Sequence, residues 1–116
     1  MRFCVMTALL MLSVASAQGE ALSGDAKILY QTYCTQCHGI AANGNGINAP
    51  SMSVQPRDHT DPVEMGTRTD EELFKVIKHG GKSINKSVLM PAWGDNLDDE
   101  QIHTLVRYLR TLCCTQ

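Results

Sequence analysis

Cys34-Thr35-Gln36-Cys37-His38 is the stretch that decides how the rest of the chain is read. It has the form C-x-x-C-H, the attachment signature of c-type haem. Two thiols separated by two residues at a helix end can reach two vinyl groups of one porphyrin and become thioethers. The adjacent imidazole then lies beneath the iron and binds it through Nε2. A thioredoxin-like C-x-x-C would need a βαβ context. A zinc site would need further Cys or His ligands at finger-like spacing. The remaining pair, Cys113-Cys114, lies at the far end of the chain with no histidine beside it.

Working outward, three segments read as helices. The first runs from about Gly24 into Cys37, with Ser23 as N-cap and Leu22, Ala26, Leu29, Tyr33 and Cys37 at helical spacing. The second starts at Thr69, which forms a capping box with Glu72. Leu73, Phe74 and Ile77 make its apolar face, and Gly80-Gly81 stops it. The third is capped by Asp98 with Gln101 three residues on, and Leu97 and Ile102 are placed as a hydrophobic staple. Ile102, Leu105, Val106, Leu109 and Leu112 form one stripe.

Long loops separate these helices. Gly39 to Arg68 carries Asn-Gly pairs and Pro50, Pro56 and Pro62, and Lys82 to Asn96 holds Met90-Pro91-Ala92-Trp93-Gly94. A loop as long as the first is typically functional in a small domain. No period-2 strand pattern is present. The expected fold is all-α, with long loops wrapped round an object the sequence does not itself contain.

Composition agrees. The chain has 116 residues, a formal net charge of -2 and only 5% aromatic residues. That length suits one small domain, and the near-neutral charge argues against an electrostatic nucleic-acid binder. Residues 1–17 read as a secretory signal peptide. Arg2 supplies the positive start, Phe3 to Val14 is mostly apolar, and Ala15-Ser16-Ala17 is a small-residue cleavage site before Gln18. The apolar run is shorter than the roughly 20 residues a membrane helix needs. Cleavage would remove Arg2 and Cys4, move the formal charge to -3 and leave a domain at 18–116. Such a chain is expected to be exported to the periplasm without a transmembrane segment.

A sixth iron ligand is expected beyond the first helix on the opposite haem face. The candidates are Met52, Met65, Met90, His59, His79 and His103. Met90 is favoured because it sits in a loop and Pro91 stiffens the backbone beside a weak thioether bond. Met52 and Met65 read as core packing. His79 and His103 read as surface histidines.

Cys34-x-x-Cys37-His38-Gly39, then Met90-Pro91-Ala92-Trp93-Gly94, then a closing helix ending Val106-Arg107-Tyr108-Leu109-Arg110, resemble a small bacterial class I cytochrome c. The resemblance implies a cytochrome c fold in which the first and last helices cross around one covalently attached haem c. It implies His38 and Met90 as axial ligands, and Pro50 as the loop proline whose carbonyl accepts from His38 Nδ1–H.

An iron with both axial positions taken by protein has no vacancy for substrate, so the expected role is one-electron transfer between redox partners, not enzymatic catalysis. The competing roles are a haem enzyme or ligand sensor with a labile or absent sixth ligand, and a subunit of a membrane oxidoreductase. Leu73, Phe74, Ile77, Trp93 and Leu105 are candidate haem walls. Lys75, Lys78, Lys82 and Lys86 form a candidate docking patch for an acidic partner, against the alternative of a solvated helix face. Arg57 is placed to pair with a haem propionate or with Asp58 or Asp61. Cys113-Cys114 leaves several readings open: a ring disulfide, a bridge between two chains, a site for a further group, or a plain continuation of the last helix's stripe.

Overall fold

The structure, a computed structural model, describes residues 17–114, with side chains from Asp25 onward. The expected signal peptide lies outside the described residues, save Ala17. Cys34 and the residues after it begin where the first helix, α1 (Ala17–Tyr33), ends. The remaining helices are α2 (Thr35–His38), α3 (Pro62–Gly66), α4 (Asp70–His79) and α5 (Asp99–Cys113), with 3-10 turns at Ala49–Ser51 and Gly81–Ile84. No strand occurs among the described residues.

Local chemistry accounts for the two strongest helices. Thr69 Oγ1 accepts from Glu72 N while the Glu72 carboxylate accepts from Thr69 N, so α4 starts on a complete capping box. Gly80 ends it at φ +83°, in the left-handed region that favours glycine. Asp98 and Gln101 repeat the same reciprocal pairing at α5. The staple residues Leu97 and Ile102 are both buried.

Two expectations need correction. The first helix begins at Ala17, so Ser23 lies inside it and not at its start. It also stops at Tyr33, and a separate turn of helix, α2, carries the second thiol and the imidazole. Cys34 joins the two, accepting the amide of His38 at 2.9 Å while its own amide still reaches Tyr30 O. The loop from Gly39 to Arg68 is also not structureless. Asp61 caps α3 by accepting from Val63 N and Glu64 N, and Pro62 occupies the first helical position, where a missing N–H does no harm. The same proline that reads as a breaker is here a helix start.

α1 packs across α5, and α4 packs on α5 as well. Ile102 and Leu105 are fully enclosed between them, each worth roughly 1.5–3 kcal/mol of apolar burial. Tyr30, Met65, Leu73, Ile77, Val106 and Leu109 complete the core. Arg110 ties the end of α5 to the α3–α4 corner, donating to Asp70 Oδ1 at 2.8 Å, Met65 O at 2.8 Å and Arg68 O at 2.6 Å. Cys113 and Cys114 are joined to each other by a disulfide, and Cys113 also packs against the core. No described helix is long and apolar enough to cross a membrane.

Candidate haem site

The loop after α2 folds back onto the C-x-x-C-H segment. Gly44 N donates to His38 O, Gly46 N to Cys37 O and Asn48 N to Gln36 O, all between 2.8 and 3.0 Å. This return is close enough that a Cβ on Gly46 would run into the carbonyls of Gln36 and Cys37. The second thiol and the imidazole therefore sit on a short helix braced along its backbone, with Cys34 at its N-cap.

Across from it, the segment after α4 is held by its own backbone. Gly81 N donates to Met90 O at 3.0 Å, Trp93 N to Ile77 O at 2.9 Å and Gly94 N to Lys78 O at 3.0 Å. Gly81 lies so close to Ser87 O that no side chain fits there. These bonds bring Met90 in beside the core.

Between the two segments lies a cavity of about 550 Å³, inside the range of roughly 300–1,000 Å³ usual for ligand sites. Cys34, Cys37, His38 and Met90 all line it. So do four of the expected wall residues, Leu73, Ile77, Trp93 and Leu105, together with Tyr30, Tyr33, Val76 and Leu109. The fifth, Phe74, is not part of the lining. It stacks on His103 at 4.4 Å between ring centroids, because its helical position turns it toward α5.

The other sulfur and imidazole candidates separate by place. Met65 is fully buried in the core, as its core reading expects. Met52 is half-buried and lines the cavity. His79 and His103 are exposed and line nothing. His59 is buried, but it lies against His38 and not across the cavity from it: the two rings stack at 4.1 Å and 19°.

His38 Nδ1–H donates to a backbone carbonyl at 3.0 Å, and that carbonyl belongs to Arg57. The expectation of Pro50 is wrong. Pro50 is exposed in the 3-10 turn, and the loop travels seven residues further before its backbone comes alongside the imidazole. Arg57 pairs with neither Asp58 nor Asp61. Its Nη1 donates to Glu64 O and to Thr67 Oγ1.

Electrostatics limit the chemistry open to Cys34. Burial, with Cys37 nearby, pushes the Cys34 thiol up to about 12, so it is not a thiolate at neutral pH. The two thiols are not joined to each other. Among the described residues no three His, Cys, Asp or Glu side chains converge as a metal cage. Burial also lowers His38, against the opposing effect of the hydrogen bond it donates to Arg57 O, and pushes His59 down to about 2, with His38 and Arg57 adding to the effect. Both imidazoles are therefore neutral, the form in which Nε2 offers a lone pair to a metal.

The residues fit a haem. Two free thiols and a neutral imidazole with its Nδ1 engaged lie on one wall, and a thioether lines the same cavity. One buried polar atom in the described residues has no partner, Arg68 Nε, and Arg68 also lines the cavity. A lone N–H in such a place calls for an acceptor, and the haem carboxylates are acceptors. Sequence reasoning missed Arg68 and the Tyr30–His59 pair. Tyr30 was readable as the residue four after Ala26 on the buried face, whereas nothing local marks Arg68, and His59, named only as a possible sixth ligand, carries no local signal of its contact with Tyr30.

Comparison with known proteins agrees with this geometry. Residues 22–109 match the family described as "Cytochrome C oxidase, cbb3-type, subunit III". A curated relative, the quinohemoprotein alcohol dehydrogenase ADH-IIG of Pseudomonas putida, is 30% identical over 81 residues. The match spans 70% of this chain but only 9% of that protein. Among solved structures, the KustC0563 c-type cytochrome superposes with a TM-score of 0.63 at 22% identity, over 77% of this chain and 98% of that one. A chain of the Kuenenia stuttgartiensis reducing HAO-like protein complex Kustc0457/Kustc0458 gives 0.61 at 30% identity, over 77% of this chain and 41% of that one.

Proposed function

The chain belongs to the cytochrome c family described as cbb3-type cytochrome c oxidase subunit III, and on that premise we propose that it is an exported mono-haem electron carrier with His38 and Met90 on the iron. The observation that carries this reading is the single cavity lined at once by Cys34, Cys37, His38 and Met90. When bound, haem c supplies an iron that takes up and gives back one electron.

The chain's own residues do the rest. Cys34 and Cys37 tether the group as thioethers. Arg57 O holds the His38 tautomer and raises the basicity of Nε2. Leu73, Ile77, Leu105 and Leu109 would exclude water and disfavour the added charge of an oxidised haem, and a thioether ligand from Met90 would raise the potential relative to two histidines. Arg68 Nε offers a hydrogen bond to a propionate.

The redox partners are proteins met transiently in the periplasm. Of the four lysines in the expected docking patch, Lys78 is engaged with Asp99 at 2.6 Å, while Lys75, Lys82 and Lys86 are exposed. Lys86 also lines the cavity, and its charge there supports a contact with an acidic partner. Exchange through that charge weakens as ionic strength rises.

The absorption spectrum of the matured, oxidised protein tests the reading. A weak band at the red edge, from sulfur on Fe(III), is expected in the wild type and absent in Met90→Ala, and the reduced wild type should not bind CO. A wild-type protein that binds CO readily and lacks the band has an open iron, which is the haem enzyme or sensor and not the carrier.

A further inference from the structure

A ligand imidazole has one freedom that its iron bond does not remove: it can rotate about that bond, changing the plane it presents to the porphyrin. The Nδ1–H···O=C bond to Arg57 restrains one edge of the His38 ring. A carbonyl accepts over a broad range of directions, so this bond alone leaves the ring free to rock.

A second contact meets the face of the ring. His59 lies nearly parallel to His38, with centroids 4.1 Å apart and an angle of 19°. His59 is itself held from three sides. Its amide donates to Ala42 O at 2.8 Å. Ala42 reaches that position in the left-handed backbone region, φ +58°, which alanine rarely adopts. The Tyr30 hydroxyl and His59 Nδ1 share a hydrogen bond of 2.9 Å, and the two rings meet edge to face at 5.7 Å. Tyr30 is buried in α1 and packs on Tyr108 of α5 at 5.6 Å. A polar, buried ring placed by an unusual backbone conformation, bonded to a buried hydroxyl and laid flat on another imidazole, is more than filler for the core.

We propose that Tyr30 and His59 are positioning residues that clamp the plane of the His38 imidazole, by holding the His59 ring flat against it. The inference rests on the reading of His38 as the iron's ligand. It makes the helix crossing part of the iron's surroundings: Tyr108, Tyr30, His59 and His38 form a row of rings from α5 to the axial position.

The test uses the haem-loaded protein and variants Tyr30→Phe, His59→Phe and His59→Leu. The readouts are the haem methyl proton shifts in the NMR spectrum of the oxidised protein and the g-values in its electron paramagnetic resonance, both of which follow the orientation of the axial ring. The red-edge sulfur band checks that the sulfur ligand is unchanged. Tyr30→Phe, which deletes one hydroxyl, is expected to keep the band and spread or reorder the methyl shifts. His59→Leu is expected to move them further, and His59→Phe, which keeps a flat ring, to bring them part of the way back. A core residue that only fills space would change stability and leave the shift pattern alone. If His59→Leu does not mature, Tyr30→Phe and His59→Phe decide. Unchanged shifts and g-values in every variant that matures overturn the clamp. His38→Ala separates the premise: if it retains the low-spin wild-type spectrum, His38 is not the ligand and the proposal falls with that reading. If it loses that spectrum while the other variants match the wild type, the clamp alone is wrong.

Discussion

The two segments that face each other across the cavity are built in different ways. The C-x-x-C-H side is braced from outside itself: three loop amides return to its carbonyls, Arg57 O accepts a hydrogen bond from His38 Nδ1–H, and His59 lies on the ring. The Met90 side is held by a few backbone bonds to α4 and to its own turn, and Val88 and Leu89, the residues just before the methionine, are 71% and 55% exposed. One wall is rigid because many distant residues converge on it. The other is a strap whose shape depends on glycines that let backbone pass close to backbone. On the proposed ligation, a strong nitrogen donor on the braced wall and a weak sulfur donor on the strap would leave the sulfur bond the more easily broken.

The largest effect comes from cutting the tether. Cys34→Ala with Cys37→Ala removes both thioethers, and the expected outcome is a chain without covalently held haem on a denaturing gel stained for haem peroxidase activity. Staining at the wild-type level would place the attachment elsewhere. Smaller and more telling is a pair of glycine replacements. Gly46→Ala pushes a methyl into the carbonyls of Gln36 and Cys37 and should lower haem loading and stability together, by about 1–3 kcal/mol if it behaves like other overpacked sites. Gly81→Ala pushes one into Ser87 O on the strap, so loading should survive while the red-edge sulfur band is lost. If both variants lose the band and the haem alike, the two walls are not independent.

The smallest effect concerns α4, which runs from the Arg68 side of the cavity to the strap. The Glu72 carboxyl is held below the ordinary 4.5, first by the Thr69 amide and then by Arg68. A lowered acid favours the folded state when ionised. Its contribution is therefore complete above pH 4.5 and is lost as pH falls through the folded value. Glu72→Gln should be less stable than the wild type at neutral pH, with the gap closing in acid; a gap that is constant across the acid range would show that the carboxylate's charge does nothing here. Thr69→Ala, which removes the other half of the cap, should cost about 1 kcal/mol.

Local signals carried most of the reading of the fold. α4 and α5 were legible because a cap, its partner three residues on and an apolar stripe all lie within one short window. The three motifs resembling a cytochrome c located the walls of the cavity. What the sequence hid depends on contacts between distant residues. The carbonyl that meets His38 lies 19 positions away, and the phenol that meets His59 lies 29 positions away. A proline-rich loop offers several carbonyls, and only the completed chain path shows that Arg57, and not Pro50, arrives at the imidazole. Phe74 was misassigned for a related reason: a helical stripe tells which residues face inward, not whether the inside is a cavity or the neighbouring helix. The interruption at Cys34 was missed because the apolar spacing continues smoothly across it.

The disulfide between Cys113 and Cys114 has a consequence for maturation. With those sulfurs closed on each other, Cys34 and Cys37 are the only reduced thiols among the described residues. On the proposed attachment, a reaction that joins vinyl groups to sulfur would meet no competing thiol along this stretch of polypeptide, and neither tail sulfur would be left over to crosslink a neighbouring copy. Self-pairing at the end of the last helix would thus leave a single address for the pigment among the described residues.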